Sequence, residues 1–471
     1  MFGLWGLEQK VSVMRLCPTP GYCGVPSAEQ ATRSGSLGGD LALSAPALPY
    51  YIVTFCLSVL GRRFELAWNS RFSGNSWFVN QIANKERNMA LNSNRGWWRL
   101  VAALLGFTML AASCGGDDTS EDDASSDGES ASSSVECDDP VKAAFVYVGP
   151  IGDAGWTKKH DDGRLSLEAA LGDCVETSFL ESVPEGAESE AVFERLAREG
   201  NDVIFGTSFG YMDQMLAVAE DYPDVVFEHG TGYKTSDNMG TFFGAAEEAR
   251  YLSGMAAGAV TESNKIGYVA AFPIPEVLRG INAFTLGAQR VNADVEVEVV
   301  WTSTWFDPTI EKEAAESLLN GGADVIAQHQ DTPSAGEAAQ EAGGHWVGYN
   351  DDMSRFAPDA WLTGPVWDWG PFYISVVEDI INDTWTSDQF YGDMAGGMVT
   401  LAEVSDTVPQ DVRDQIAEVE EQIKAGDFPV FTGPVNDQEG NEKIADGEVP
   451  DLGTLLGMDY FVQGVNGSAS G

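Results

Sequence analysis

Residues 265–301 read KIGYVAAFPIPEVLRGINAFTLGAQRVNADVEVEVVW. The apolar, β-branched runs at 265–270 and 295–301 have the composition of strands, and the 275–291 segment between them has a helical pattern. Strand, helix and strand at this spacing make a βαβ unit. Successive units build a parallel sheet whose strands are covered on both faces.

The alternation continues in both directions. Strands are expected at 143–148, 176–180, 202–205, 225–228, 265–270, 295–301, 324–327, 346–348 and 361–363. Helices are expected at 162–171, 188–199, 211–221, 245–260, 275–291, 308–320, 334–342 and 370–382. So many strands exceed one ordinary sheet, and the pattern restarts at Lys265. The fold class is therefore α/β, with two doubly wound parallel-sheet lobes around a cleft. Lobe 1 is expected from 137–262 plus about 365–395, and lobe 2 from 263–364 plus about 396–465. Ligands of such sheets sit beyond the carboxyl ends of the strands, so two lobes share a cleft that hinge closure can bury.

Charge divides the chain. Its 471 residues carry 26 Lys+Arg and 73 Asp+Glu, a net of −47. Residues 1–113 are net +5 and residues 114–471 net −52. Such acidity excludes a nucleic-acid binder, whose phosphate contacts need clustered cations. At the boundary, Arg95 and Arg99 precede a 13-residue apolar run at 100–112, small residues and Cys114. That order is a secretion signal over 89–113, too short to span a bilayer with ease. The run Leu110-Ala111-Ala112-Ser113-Cys114 resembles a bacterial lipobox, which makes Cys114 the expected site of lipidation. Residues 114–136 carry eight acids and no base among many Ser, a solvated tether. Met89 is well placed as a start, so 1–88 reads as an upstream extension foreign to the mature product. The expected location is the outer face of the cell membrane.

Cys137 and Cys174 are then the cysteines of the exported body and are expected to form a disulfide. The four His residues (160, 229, 329, 345) are scattered, so neither a metal site nor a cofactor is implied. Polar and aromatic residues recur at the strand-to-helix junctions. The first loop offers Asp153, Trp156 and Thr157; an indole to stack on and a carboxylate to accept N–H bonds suit a flat aromatic ligand. Later junctions supply Ser208, Phe209, Phe272, Trp305, Asp331, Asn350, Asp352 and Trp367. Asp331 with Asp351 and Asp352 is an alternative cation site, and Asp153 with His160 an alternative acid/base pair. Neither a metal triad nor a phosphate loop is present, which argues against an enzyme.

The segments GYVAAFPIPEVLRGINAFTLGA (267–288), TWFDPTIEKEAAESLL (304–319), ADVIAQHQDTPS (323–334) and VGYNDDMS (347–354) resemble the basic membrane protein (BMP) family of ABC-transporter substrate-binding lipoproteins. The resemblance spans about 140–465 and implies a type I periplasmic-binding-protein fold, capture of a purine outside the membrane, and delivery to ABC permease subunits. The family's first-loop pattern, Asp-Asp-Lys-Ser-Phe-Asn, falls on Gly152 to Thr157; Asp153 is kept, while Trp156 and Thr157 replace Phe and Asn. Its Asp-Ser-Asp-Gln falls on Asn350-Asp351-Asp352-Met353, and the lysine that nucleoside receptors place near the ribose falls at about Trp367. These ribose-side changes tilt the expectation toward a free nucleobase such as adenine over a nucleoside. A sugar, which also stacks on Trp, and a sensor without a transporter are the alternatives.

Overall fold

The structure is a computed structural model and describes residues 137–471. The expected extension (1–88), signal peptide (89–113), lipidated Cys114 and the tether to 136 lie outside the described residues.

The first half runs β1 (Val141–Val146), α1 (Trp156–Leu171), β2 (Val175–Leu180), α2 (Ala187–Arg198), β3 (Val203–Gly206), α3 (Met212–Asp221), β4 (Val226–Gly230) and β5 (Met239–Gly244). The second runs α4 (Ala246–Val260), β6 (Lys265–Ala270), α5 (Pro275–Val291), β7 (Glu296–Trp301), α6 (Pro308–Asn320), β8 (Val325–His329), α7 (Ser334–Glu341), β9 (His345–Val347) and β10 (Trp361–Thr363). The chain then gives β11 (Pro365–Trp367), α8 (Gly370–Ile381), β12 (Gln389–Gly392), β13 (Val399–Leu401), α9 (Gln410–Lys424) and three short strands, β14 (Val435–Asn436), β15 (Glu442–Ile444) and β16 (Val465–Asn466).

Two six-stranded sheets result, in the orders β12-β5-β4-β3-β1-β2 and β10-β9-β8-β6-β7-β16. Every pairing within them is parallel. Each sheet is covered on both faces. In the first, α2 and α3 pack over Ala144, Val146, Ile204 and Phe227. On its opposite face α1 packs against α8, above Phe145 and Phe205. In the second, α6 and α7 cover Val269, Ile326 and Trp346. Alternation along β1 shows the period-2 logic directly, because Ala143 and Phe145 feed one core while Ala144 and Val146 feed the other.

The chain crosses between the lobes three times. It leaves the first sheet after β5, returns through β11 and α8 to add β12 beside β5, and leaves again through β13, which pairs antiparallel with β11. Expectation and structure differ at α4, which had been placed in lobe 1. Its surface packs along α5 and against β9 and β10 of the second sheet. Glycines permit this: a Cβ on Gly254 would collide with the Phe284 carbonyl, and one on Gly287 with the Tyr251 carbonyl, so the two backbones touch. Helix α1 also starts six residues earlier than expected, for a reason that bears on the site. Cys137 and Cys174 are joined by a disulfide that ties the entry to β1 to the start of β2.

Candidate functional site

The carboxyl ends of both sheets face each other across a shared cavity. From the first lobe, Trp156, Ser208, Phe209 and Thr231 line it; from the second, Glu276, Trp305, His329, Asp331 and Tyr349 do so.

Trp156 is the first residue of α1, and its orientation is fixed at several points. Its Nε1 donates to the Thr207 carbonyl at 2.7 Å, and its ring meets His160 edge-on at 4.3 Å and Trp369 at 5.5 Å. An indole held in this way presents a preformed face to a ligand. Trp305 stands opposite in sequence and lobe, backed by Phe272 with ring centroids 5.0 Å apart. Its Nε1 is buried and makes no hydrogen bond within the protein.

Two carboxyls share the cavity. Asp331 is buried and accepts a single side-chain bond, from Asn350 Nδ2 at 3.1 Å. Burial, reinforced by the carboxylates of Asp153 and Glu311, pushes its pKa well above the carboxylate range. Glu276, in the first turn of α5, is pushed up to about 8 by burial. One of its oxygens lies 3.8 Å from His329 Nε2, and the other has no partner in the protein. His329 is held in its neutral form by burial, then by the nearby Arg250 and Arg279. Two largely neutral carboxyls can each offer both a donor and an acceptor.

Of the expected ligand residues, the structure brings Trp156, Ser208, Phe209, Trp305 and Asp331 to the cavity wall. The other six it places elsewhere. Asp153 accepts from the amides of Gly155, Thr157 and Lys158 at 2.7–3.0 Å; it anchors the first turn of α1, which is why that helix begins early. Thr157 is buried behind this turn. Phe272 backs Trp305. Trp367 Nε1 donates to Asn350 Oδ1 at 3.0 Å, so these two buried residues satisfy each other and stand outside the cavity lining. Asp352 is exposed and accepts from the Ser354 amide. Ser208, although on the wall, donates its hydroxyl to Glu185 at 2.6 Å. The alternative acid/base pair dissolves as well, because His160 stacks on Trp369 in the core and its Nδ1 bonds the Tyr373 hydroxyl.

Sequence reasoning passed over Glu276, His329, Tyr349 and Thr231. Thr231 and Tyr349 lie just beyond the carboxyl ends of β4 and β9, His329 is the last residue of β8 and Glu276 is in the first turn of α5; which side chain at such a position turns inward depends on tertiary packing. Among the described residues no three metal-type side chains are grouped to hold a metal ion, and no helix is long and apolar enough to cross a membrane.

Two facing parallel-sheet lobes, three interlobe crossings and a shared cavity at the strand ends are the architecture of a small-molecule-binding protein. The ABC transporter substrate-binding protein PnrA-like (Bmp) family model matches residues 140–431, and the chain belongs to that family. It is 45% identical over 332 residues to a purine-binding protein of Brucella abortus, covering 70% of this chain and 95% of the relative. It is 46% identical over 327 residues to a Haloferax volcanii protein named for glucose binding by an ABC transporter, covering 69% of this chain and 81% of that one. A solute-binding protein of an ABC transporter system from Aeropyrum pernix K1 shares the fold, with a TM-score of 0.56 at 18% identity over 67% of this chain and 95% of that one. The protein is thus a small-molecule binding component that acts outside the cytoplasm, and not an enzyme.

Proposed function

We propose that this receptor captures a purine, with a free nucleobase such as adenine preferred over a nucleoside, and is held to the outer membrane face through lipidated Cys114 while it serves ABC permease subunits. The observation that carries the reading is the pairing of a rigid Trp156 face with Asp331 and Glu276 in one cavity. A planar heterocycle stacks on the indole, and its ring nitrogens and amino group meet carboxyl donors and acceptors. The purine-binding relative at 45% identity supports it. The preference for a base rests on Asn350 and Trp367: the two positions that the family resemblance puts near a ribose are bonded to each other at 3.0 Å, leaving a sugar hydroxyl no partner there.

Glucose is the second reading, favoured by the Haloferax relative at 46% identity. A hexose needs a hydrogen-bond partner for each hydroxyl in its ring, whereas the wall offers chiefly aromatic faces. Calorimetry on the purified body with adenine, adenosine, guanosine, xanthine and glucose separates these. Adenine is expected to bind tightest. Nucleoside binding much tighter than base binding refutes the preference, and glucose binding without purine binding refutes the purine reading. Radiolabelled fatty acid incorporated in wild type and lost in Cys114→Ala is the expected result for the anchor.

A further inference from the structure

Behind the lobe 2 wall of the cavity lies a polar cluster that purine capture leaves unused. Arg250, on α4, is fully buried, and none of its three guanidinium nitrogens makes a hydrogen bond within the protein. It has no ion-pair partner among the described residues, whereas the neighbouring Arg279 is paired with Glu247 at 3.1 Å. The Arg250 guanidinium lies 3.8 Å over the ring of Tyr349 and 5.6 Å from that of Tyr268. The hydroxyls of both tyrosines and Nδ1 of His329 are also buried without a protein partner.

A buried cation without a counter-charge is costly. The acids on this side, Glu276 and Asp331, are held toward their neutral forms by burial and do little to offset it. Every unpartnered group in the cluster can donate: the guanidinium, two phenols and an imidazole N–H. Two of them converge beside α5, because a Cβ on Gly280 would lie 3.6 Å from His329 Nδ1 and 3.7 Å from Arg250 Nε.

We infer that Arg250, His329, Tyr268 and Tyr349 form a binding site for a monatomic inorganic anion of halide size, in the core of lobe 2 beside Gly280. A halide accepts from every direction and donates nothing in return, which suits a cluster of four donors. The bound anion balances the guanidinium and fixes His329 and Tyr349, both of which line the ligand cavity.

The test uses ligand-free protein, so it is independent of which solute the cavity takes. Thermal unfolding in sodium chloride is compared with sodium gluconate at equal ionic strength. Chloride is expected to raise Tm saturably, by roughly 2 °C or more, and Arg250→Met is expected to lose that rise while keeping any non-saturable salt effect. Bromide-soaked crystals of the wild-type protein are expected to show an anomalous peak within hydrogen-bond distance of Arg250 and His329. The absence of that peak overturns the inference in favour of water, whatever the Tm data show or whether Arg250→Met folds.

Discussion

Closure of the two lobes depends on a missing side chain at residue 155. Gly155 sits where α1 begins in lobe 1, and a Cβ built there lies 2.7 Å from the Asp331 carbonyl oxygen, 3.0 Å from Met353 Cε and 3.2 Å from Asn350 Nδ2. All three belong to segments of lobe 2. The methionine end can swing aside, but the backbone carbonyl cannot, and 2.7 Å is closer than real Cβ atoms approach. Gly155→Ala therefore forces the lobes apart or displaces the Asp331 loop. Overpacking of this kind costs about 1–3 kcal/mol. Because the contact is made only with the lobes together, the cost falls on the closed, ligand-holding state and weakens binding roughly 5- to 150-fold. Calorimetric titration with adenine gives the affinity, and small-angle scattering at saturating ligand reports the lobe separation, expected to grow in the variant. Affinity within twofold of wild type, with an unchanged scattering profile, refutes the reasoning.

Three further outcomes are expected. Breaking the disulfide by Cys137→Ser and Cys174→Ser together frees a loop spanning 37 residues; chain entropy sets the loss at about 3–4 kcal/mol, read as a lower denaturant midpoint, and an unchanged midpoint contradicts it. Glu228, pushed up to about 8 by burial, keeps its proton in the native state while the unfolded carboxyl ionises near 4.3. Stability should thus fall as pH rises between those values, and Glu228→Gln, which retains an acceptor for Trp385 Nε1, should flatten part of that slope in unfolding titrations; an unaltered slope counts against burial as the cause. Gly254→Ala, which drives a methyl into the Phe284 carbonyl, should destabilise by about 1–3 kcal/mol, and a thermal midpoint equal to wild type would show that α4 and α5 can part freely.

The βαβ rhythm was legible because the buried parallel strands hold apolar runs such as 203–205 and 325–327, which do not alternate as solvent-facing strands do. What was missed has particular causes. Strand β5, MGTFFG, is broken by glycines and a threonine, and β12, QFYG, is short and lies far from its partner in sequence. Helix α9 carried a readable signal, Val412, Ile416, Val419 and Ile423 at helical spacing, within a stretch dominated by charge. The site divides along similar lines. Trp156 and Asp331 stand out by chemistry and position. Asp153, three residues from Trp156, has the right chemistry but not the free oxygens, because the amides of Gly155, Thr157 and Lys158 occupy them locally. The mutual bond of Asn350 and Trp367 joins a loop to a strand 17 residues away, a pairing that only the folded chain reveals.

The placement of β12 also governs how the protein can be made. Strand β5 ends at residue 244, and its neighbour on the open side, Gln389–Gly392, is synthesised only after the whole second set of strands from β6 to β10. Until then the first sheet presents an unpaired edge, a template for pairing with other chains. Parallel pairing over such a sequence separation is slow to form. A nascent chain that collapses early would hold one half-finished lobe, so factors that delay collapse until the C-terminal third has emerged should raise the yield of active receptor. A truncation before residue 389 would leave that edge permanently open, and its product should aggregate rather than accumulate as a free first lobe.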